Sequence, residues 1–376
     1  MTARRRTVIR CAPGKVFVLG EYAVMEPGNP AILVAVDRQA TVAVAGIPRG
    51  SAVADVVISS DLGHRSVEWW WRDGRLVTSA AEDERQVRSA VAHVVSAIET
   101  VGRLLAERGL ALPAMDVSVS SRLHEDGRKL GLGSSGAVTV ATVAAVASFC
   151  GLELSRNARF RLSLLATAQL DPWASGGDLA ASTWGGWLAY QAPDRAFVLD
   201  VARRLGIGRM LGASLPGHAV RRLTPPDGLS LEIGWTGEPA STASLVAGLP
   251  RRHWRGSPSH RRFVEATSDC VRSAVAALGT GDRAGLLRQI RRARRELARL
   301  DDEAGIGIFT PALTALCDTV EAIGGAAKPS GAGGGDCGIA LLDAGAARDI
   351  AYVRQRWRTA GVLPLSLCPA VEGVTE

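Results

Sequence analysis

The stretch Lys129-Leu130-Gly131-Leu132-Gly133-Ser134-Ser135-Gly136-Ala137-Val138 constrains this chain more than any other. Between Gly131 and Gly136 it holds three glycines and two serines, and an Ala/Val-rich apolar run continues from it to about Cys150. That pattern predicts a glycine turn opening a helix. The N–H groups of a helix's first turn have no intrahelical partner and carry the positive end of the helix dipole. They are a natural seat for phosphate. Glycines let the backbone approach closely, and serine hydroxyls can ligate Mg²⁺ or a phosphate oxygen. An ordinary tight loop before a core helix is the plainer alternative, because isolated glycine motifs recur by chance.

The cations point the same way. Of 44 basic residues only three are lysine, Lys15, Lys129 and Lys328, and each lies in or beside a glycine-rich segment. An ammonium is a compact charge on a flexible stem, suited to phosphate oxygens where a planar guanidinium does not fit. A formal charge of +7 suits an enzyme with polyanionic ligands. Nucleic-acid binding is not indicated. Basic residues are spread along the chain, and the densest cluster, Arg288 to Arg299, is interleaved with Ile290 and Leu297 like a solvated helix face. Six scattered cysteines, with no Cys-x-x-Cys pair, read as reduced thiols of a cytoplasmic protein. The histidines are equally dispersed and suggest no metal cluster. Pro13, Gly14, Lys15 and Glu21 interrupt any apolar run near the basic N-terminus, so neither signal peptide nor membrane span is expected.

A length of 376 residues suggests two domains. Residues 7 to 45 read as β-structure, and residues 51 to 78 as hairpins with an Asp73-Gly74 turn. Trp69-Trp70-Trp71 reads as part of a partly exposed strand pair. Apolar spacing predicts a helix from Glu82 to Arg108, and alternation predicts a strand from Met115 to Ser120. A helix over Arg156 to Leu170 ends at Asp171-Pro172. After it comes a glycine-flanked acid, Asp178, then a strand from Trp187 to Tyr190. Turn-rich residues between 190 and 220 place a domain boundary there. Beyond it follow a strand at Leu229 to Trp235, helices near 258–278, 282–300 and 310–324, a strand at Ile339 to Leu342 and a last helix near 345–360.

Ala12-Pro13-Gly14-Lys15 followed by Gly20-Glu21-Tyr22-Ala23-Val24 resembles the first motif of the GHMP kinases, the superfamily of galactokinase, homoserine kinase, mevalonate kinase and phosphomevalonate kinase. Gly131 to Ala137 resembles their second motif, and Lys328-Pro329-Ser330-Gly331-Ala332-Gly333-Gly334-Gly335-Asp336-Cys337-Gly338 their third. All three stand in the expected order, and no Walker sequence is present. Three features are similar to the phosphomevalonate kinase branch: Gly234 to Thr242, Lys328 to Gly338, and Lys129 directly before the glycine loop. The resemblance implies an α+β, two-lobed GHMP kinase fold. Residues 1–195 would form an N-terminal lobe like domain 2 of ribosomal protein S5, binding ATP and substrate. Residues 196–376 would form a ferredoxin-like C-terminal lobe. ATP and Mg²⁺ are the implied cofactors. The implied reaction transfers the ATP γ-phosphoryl group to the phosphate of 5-phosphomevalonate, by a monomer or homodimer without nucleic acid or membrane. Mevalonate kinase, diphosphomevalonate decarboxylase and a non-catalytic nucleotide-binding protein of this fold are the alternatives.

The same resemblance implies roles. Lys15 would contact the acceptor or the transferring phosphoryl group, and Lys129 the phosphates. Gly131, Leu132, Gly133, Ser134, Ser135, Gly136 and Ala137 would hold the ATP phosphates, with Ser135 at Mg²⁺. Asp178, shortly before Ser182-Thr183-Trp184-Gly185-Gly186, matches the catalytic aspartate. Lys15, Ser182, Ser330, Gly333 and Asp336 are substrate-side candidates, with the loop from Trp235 to Thr242. The approach Gln169 to Ala174 is bulkier than the family pattern, and Asp171 within it is either a metal-side acid or part of an altered acceptor pocket. A phosphate monoester acceptor is already anionic, with its second pKa near ~6. Catalysis then rests on positioning and positive charge, and Asp178 would orient more than deprotonate.

Overall fold

The computed structural model describes residues 7–47, 54–61, 64–78, 88–125, 127–238 and 254–375. Two sheets carry the fold. In chain order the first part contains β1 (Thr7–Leu19), β2 (Pro30–Gly46), β3 (Val56–Ser60), β4 (His64–Arg72), β5 (Arg75–Val77), α1 (Ala92–Glu107), β6 (Met115–Ser121), and a short pair β7 (His124–Glu125) and β8 (Arg128–Lys129). There follow α2 (Ser134–Phe149), α3 (Arg156–Leu170), α4 (Gly177–Trp184), β9 (Trp187–Gln191), α5 (Arg195–Leu205), α6 (Ile207–Gly212) and β10 (Ala219–Leu223). The first sheet has the order β10-β9-β2-β6-β3-β4-β5, with β1 also paired to β2. Only the β3/β6 pairing is parallel among those described.

Helix α2 explains the core of this lobe. Its Val and Ala residues leave no polar face, and eleven of its residues are buried. A helix apolar all round belongs inside. It packs between β1 and β2 on one side and α1 and α3 on the other. Trp69 is fully buried, while Trp70 and Trp71 are half-buried. Asp73 and Gly74 both take positive φ in the β4–β5 turn, as a tight hairpin requires.

The second part contains β11 (Leu229–Trp235), α7 (Pro258–Thr280), α8 (Arg283–Ala304), α9 (Pro311–Glu321), β12 (Ala326–Ser330), β13 (Cys337–Asp343), α10 (Ala347–Thr359) and β14 (Leu363–Leu365). Its sheet is antiparallel throughout, in the order β12-β13-β11-β14. Ser257 and Thr310 cap α7 and α9 by accepting N–H bonds, each with proline at the first helical position. The chain therefore has the α+β, two-lobed organisation expected of it.

Three details differ from the sequence reading. The stretch read as turn-rich linker holds α5 and α6, and β10 still joins the first sheet, so the sheets divide between Leu223 and Leu229. A strand that the sequence reading did not include, Ala326–Ser330, opens the third motif. The helix predicted from Glu82 is described from Ala92 as α1, and residues 79–87 lie outside the described set.

The chain also returns. Residues beyond β14 run back onto the first lobe, where Thr375 bridges Cys11 and Pro369 bridges Val36. Gly186 N–H donates to Ala370 O at 2.6 Å, and a Cβ on Gly373 would meet Thr183 O at 2.1 Å. The lobes meet along the end of β1. Ser330 Oγ accepts from Phe17 N–H (2.9 Å) and donates to Phe17 O (3.0 Å). Lys328 pairs with Glu21, Tyr22 O–H donates to Ala332 O, and the Cys337 thiol donates to Leu130 O at 2.9 Å. Among the described residues no helix is long and apolar enough to cross a membrane.

Candidate active site

The phosphate loop forms as its residues dictate. Gly133 takes a left-handed conformation (φ 74°) and ends the loop, and α2 starts at Ser134 with no side-chain cap. The first intrahelical acceptor is Gly133 O, bonded by Ala137 N–H, so the N–H groups of Ser134, Ser135 and Gly136 point out of the helix start. The strand of the first motif lies against this loop, with Lys15 N–H donating to Leu132 O at 2.8 Å.

Two side chains close on the loop. A Cβ at Gly133 would stand 3.0 Å from Lys15 Cε and 3.3 Å from Asp178 Cβ. A Cβ at Gly136 would stand 2.4 Å from Asp178 Oδ2. Any side chain here would collide with the acid. Lys15 is only 8% exposed, and its Nζ reaches Gly131 O at 3.4 Å. Asp178 sits in the first turn of α4, after the left-handed Gly176, and its Oδ1 accepts the Leu179 N–H at 2.9 Å. Two helix N-termini, an ammonium and a carboxylate thus surround one glycine loop. Lys129 is exposed on β8.

His93 was not singled out by the sequence, where it is a lone histidine in an apolar-spaced helix. It lies at the start of α1 with Nδ1 3.3 Å from Thr139 Oγ1. Thr139 gives its proton to Ser135 O (2.8 Å), so the histidine Nδ1 is the donor to the threonine. Burial holds the His93 pKa below its usual value, Asp178 and Asp171 pull it up, and Lys129 pushes it down. Residues 129, 171 and 178 therefore all act on this one ring.

The structure also shows how the other residues singled out in the sequence are held. Ser182 is fully buried and donates to Pro13 O at 2.7 Å, which braces the first motif. Ser330 spends its hydroxyl on both backbone groups of Phe17. Gly333, at φ 72°, lies against Ile308, whose carbonyl would be 2.6 Å from a Cβ. Asp336 is buried, and its side chain packs on Gly131 at 2.8 Å from a Cβ position, which joins the third motif to the second. Lys328, counted with the phosphate-facing lysines, is fully buried, bonded to Glu21 and, at 2.6 Å, to Pro329 O. Its charge is neutralised inside the protein and adds nothing to a phosphate site. Of the loop from Trp235 to Thr242, residues 239–242 lie outside the described set.

Among the described residues no group of three or more His, Cys, Asp or Glu could hold a metal ion. That does not conflict with Mg²⁺, which commonly takes one or two protein oxygens beside substrate phosphates. The Ser135 hydroxyl and the Asp178 carboxylate at the loop are hard oxygen donors of this kind. The bare cradle at Gly133 and Gly136 fits a nucleotide's phosphates.

Residues 92–186 match the family described as GHMP kinases N terminal domain, and residues 274–359 match GHMP kinases C terminal. A full-length curated relative shares 73% identity over 374 residues, and the alignment covers 100% of both chains. The chain belongs to the GHMP kinase family. That relative is the phosphomevalonate kinase of Streptomyces sp. strain CL190, which sets the chain within the phosphomevalonate kinase branch. A mevalonate kinase of Pyrococcus horikoshii is more distant, 27% identical over 98% of this chain and 97% of its own. The solved structure of Streptococcus pneumoniae phosphomevalonate kinase in complex with phosphomevalonate and AMPPNP superposes with a TM-score of 0.82 at 26% identity, covering 97% of this chain and 99% of that one.

Proposed function

We propose that this chain is an ATP-dependent kinase that transfers the γ-phosphoryl group to the phosphate of 5-phosphomevalonate, giving 5-diphosphomevalonate and ADP in the mevalonate route to isoprenoids. The observation that carries the reading is the meeting of Lys15 and Asp178 against Gly133 in the phosphate loop. An oxygen of the acceptor phosphate attacks the γ-phosphorus as the bond to the β-phosphate oxygen breaks. The acceptor is already a nucleophile, so what must be overcome is repulsion between two anions. Lys15 stands where that charge gathers, and the outward N–H groups of Ser134, Ser135 and Gly136 receive the donor phosphates. Lys129, exposed at the rim, adds a second cation. Asp178 fixes the position of Lys15 and of the acceptor. Ser135 would hold Mg²⁺, which when bound neutralises phosphate charge. His93, through Thr139, holds the first turn of α2 in place. The six cysteines form no disulfide, which supports a reducing, cytoplasmic setting.

A coupled ADP-release assay with ATP and Mg²⁺, offering mevalonate, 5-phosphomevalonate and 5-diphosphomevalonate separately, tests the reading. Only 5-phosphomevalonate should turn over. Asp178→Ala and Lys15→Ala should each lower turnover by at least about tenfold with the fold intact. Unchanged rates in both variants would remove these roles, and turnover of mevalonate instead would place the chain with the mevalonate kinases.

A further inference from the structure

Resting on the function proposed above, one end of the acceptor has no assigned partner: 5-phosphomevalonate carries a carboxylate at the opposite end from its phosphate. We propose that Arg255 binds that carboxylate, its guanidinium set over the Trp173 ring and braced from behind by Glu26.

Trp173 lies in the bulky approach that leads into the Asp178 helix and is 42% exposed, a large apolar surface to leave open. The guanidinium carbon of Arg255 stands 4.0 Å from its ring centroid, a cation–π distance. The Nε and Nη2 atoms of Arg255 both turn to one oxygen of Glu26, at 2.7 and 2.5 Å. Among the described residues Nη1 has no acceptor, and the side chain is 34% exposed. One edge of the fork is therefore fixed, and the other is presented. A guanidinium held this way is preorganised for a carboxylate, which it matches in planar geometry.

Three separate segments converge at this point. Glu26 follows the Tyr22–Met25 turn, whose Tyr22 hydroxyl reaches Ala332 of the third motif. Trp173 comes from the approach to Asp178, and Arg255 from the second lobe just before α7. A second guanidinium lies close by. Arg195 is buried and donates to Pro193 O (2.9 Å) and to Met25 O, while its Nε has no acceptor. Arg195 and Arg255 share the neighbourhood of Glu26, and Asp194 also lies close to Arg195. His260, 3.7 Å from Glu26, is neutral, since its Nδ1 accepts the Gly256 N–H at 2.9 Å. Tyr190 lies within electrostatic reach of both Arg195 and Asp178, and its hydroxyl donates to Ser175 O. Trp173, which carries Arg255, stands five residues before Asp178, so the group sits on the approach to the Asp178 helix. It is also distinct from Lys129, on β8 beside the phosphate loop. A small acid with one anion at each end would lie between Lys15 and Arg255.

The test uses the purified full chain with saturating ATP and Mg²⁺. Arg255→Met removes the charge and keeps an apolar stem over Trp173. The KM for 5-phosphomevalonate should rise by at least about tenfold, with the loss falling on KM rather than kcat and with the KM for ATP unmoved. Arg255→Lys should recover part of the affinity as a point charge. A second arm does not depend on any variant folding. An acceptor analogue with the carboxylate replaced by a primary alcohol should lose about tenfold or more in kcat/KM with the wild-type protein, and less than about twofold further in Arg255→Met. If the wild type uses the analogue as well as the natural acceptor, or if Arg255→Met discriminates as strongly as wild type, the assignment of Arg255 is overturned. If the wild type does not phosphorylate 5-phosphomevalonate at all, the proposed function fails instead.

Discussion

Replacing Gly136 with alanine separates the chemistry of the loop from its stability. Gly136 is the third residue of α2 and lies in regular helix. Alanine is favoured over glycine inside a helix by about 1 kcal/mol. Its Cβ, however, would stand 2.4 Å from Asp178 Oδ2, 2.6 Å from Cγ and 2.8 Å from Cβ. Ordinary contact begins at 3.4 Å. The carboxylate must therefore retreat by about 1 Å, and a misplacement of that size at a reacting centre costs on the order of 100-fold in rate. Rotation of Asp178 carries its Cγ and Oδ2 away, but its Cβ stays at 2.8 Å unless the two helix starts also part by a few tenths of an ångström, so relief costs about 1–3 kcal/mol, partly offset by the helix gain. Gly136→Ala should melt within a few degrees of wild type and lose about 100-fold in kcat in the coupled assay. Combined with Asp178→Ala, it should add little to the loss from Asp178→Ala alone, since both act on one carboxylate. A Gly136→Ala protein that is folded and retains more than half of the wild-type kcat would refute the view that the carboxylate must stand where it does.

Two further outcomes follow from the buried groups. Lys328→Met leaves Glu21 charged and unpaired in the seam between the lobes, and should lower the unfolding free energy by about 3–5 kcal/mol, whereas Glu21→Leu with Lys328→Met should recover most of it; chemical denaturation measures both, and a single-variant loss under about 1 kcal/mol would show that the pair does not hold the seam. His93, His124, His218 and His260 all have pKa values depressed by burial, so the unfolded chain binds more protons than the folded one. Their contribution is present above the unfolded histidine value of about 6.5 and is lost as the pH falls through it; melting midpoints should decline on acidification from about pH 7.5, and a midpoint that rises would contradict the burial of these rings.

Much of the fold and part of the site could be read from the residues. The glycine loop, the apolar helix behind it and the acid at 178 are local patterns, and local patterns survive without knowledge of tertiary partners. What the residues alone did not reveal depended on distant neighbours. Lys328 looks like a phosphate ligand beside its glycines until Glu21, 307 positions away, neutralises it. Ser330 and Ser182 look like substrate hydroxyls until their protons go to Phe17 O and Pro13 O. The stretch after Gln191 read as linker because Pro193-Asp194 is a turn signal. Asp194 is in fact the cap of α5, accepting from Ala196 and Phe197 N–H. A cap and a turn draw on the same residues. His93 carried no signal, because one histidine in an apolar helix is usually a core residue.

The return of residues 368–375 onto the first lobe has a consequence for how the molecule is born. Synthesis proceeds from the N-terminus, and domains generally begin to fold as they emerge. Here β1 and β2 wait for Thr375 and Pro369, and the far end of the Asp178 helix waits for Gly373. The catalytic lobe is begun first and finished last, so a nascent chain halted after the first sheet would expose an incomplete edge to chaperones and proteases until the second lobe had been made.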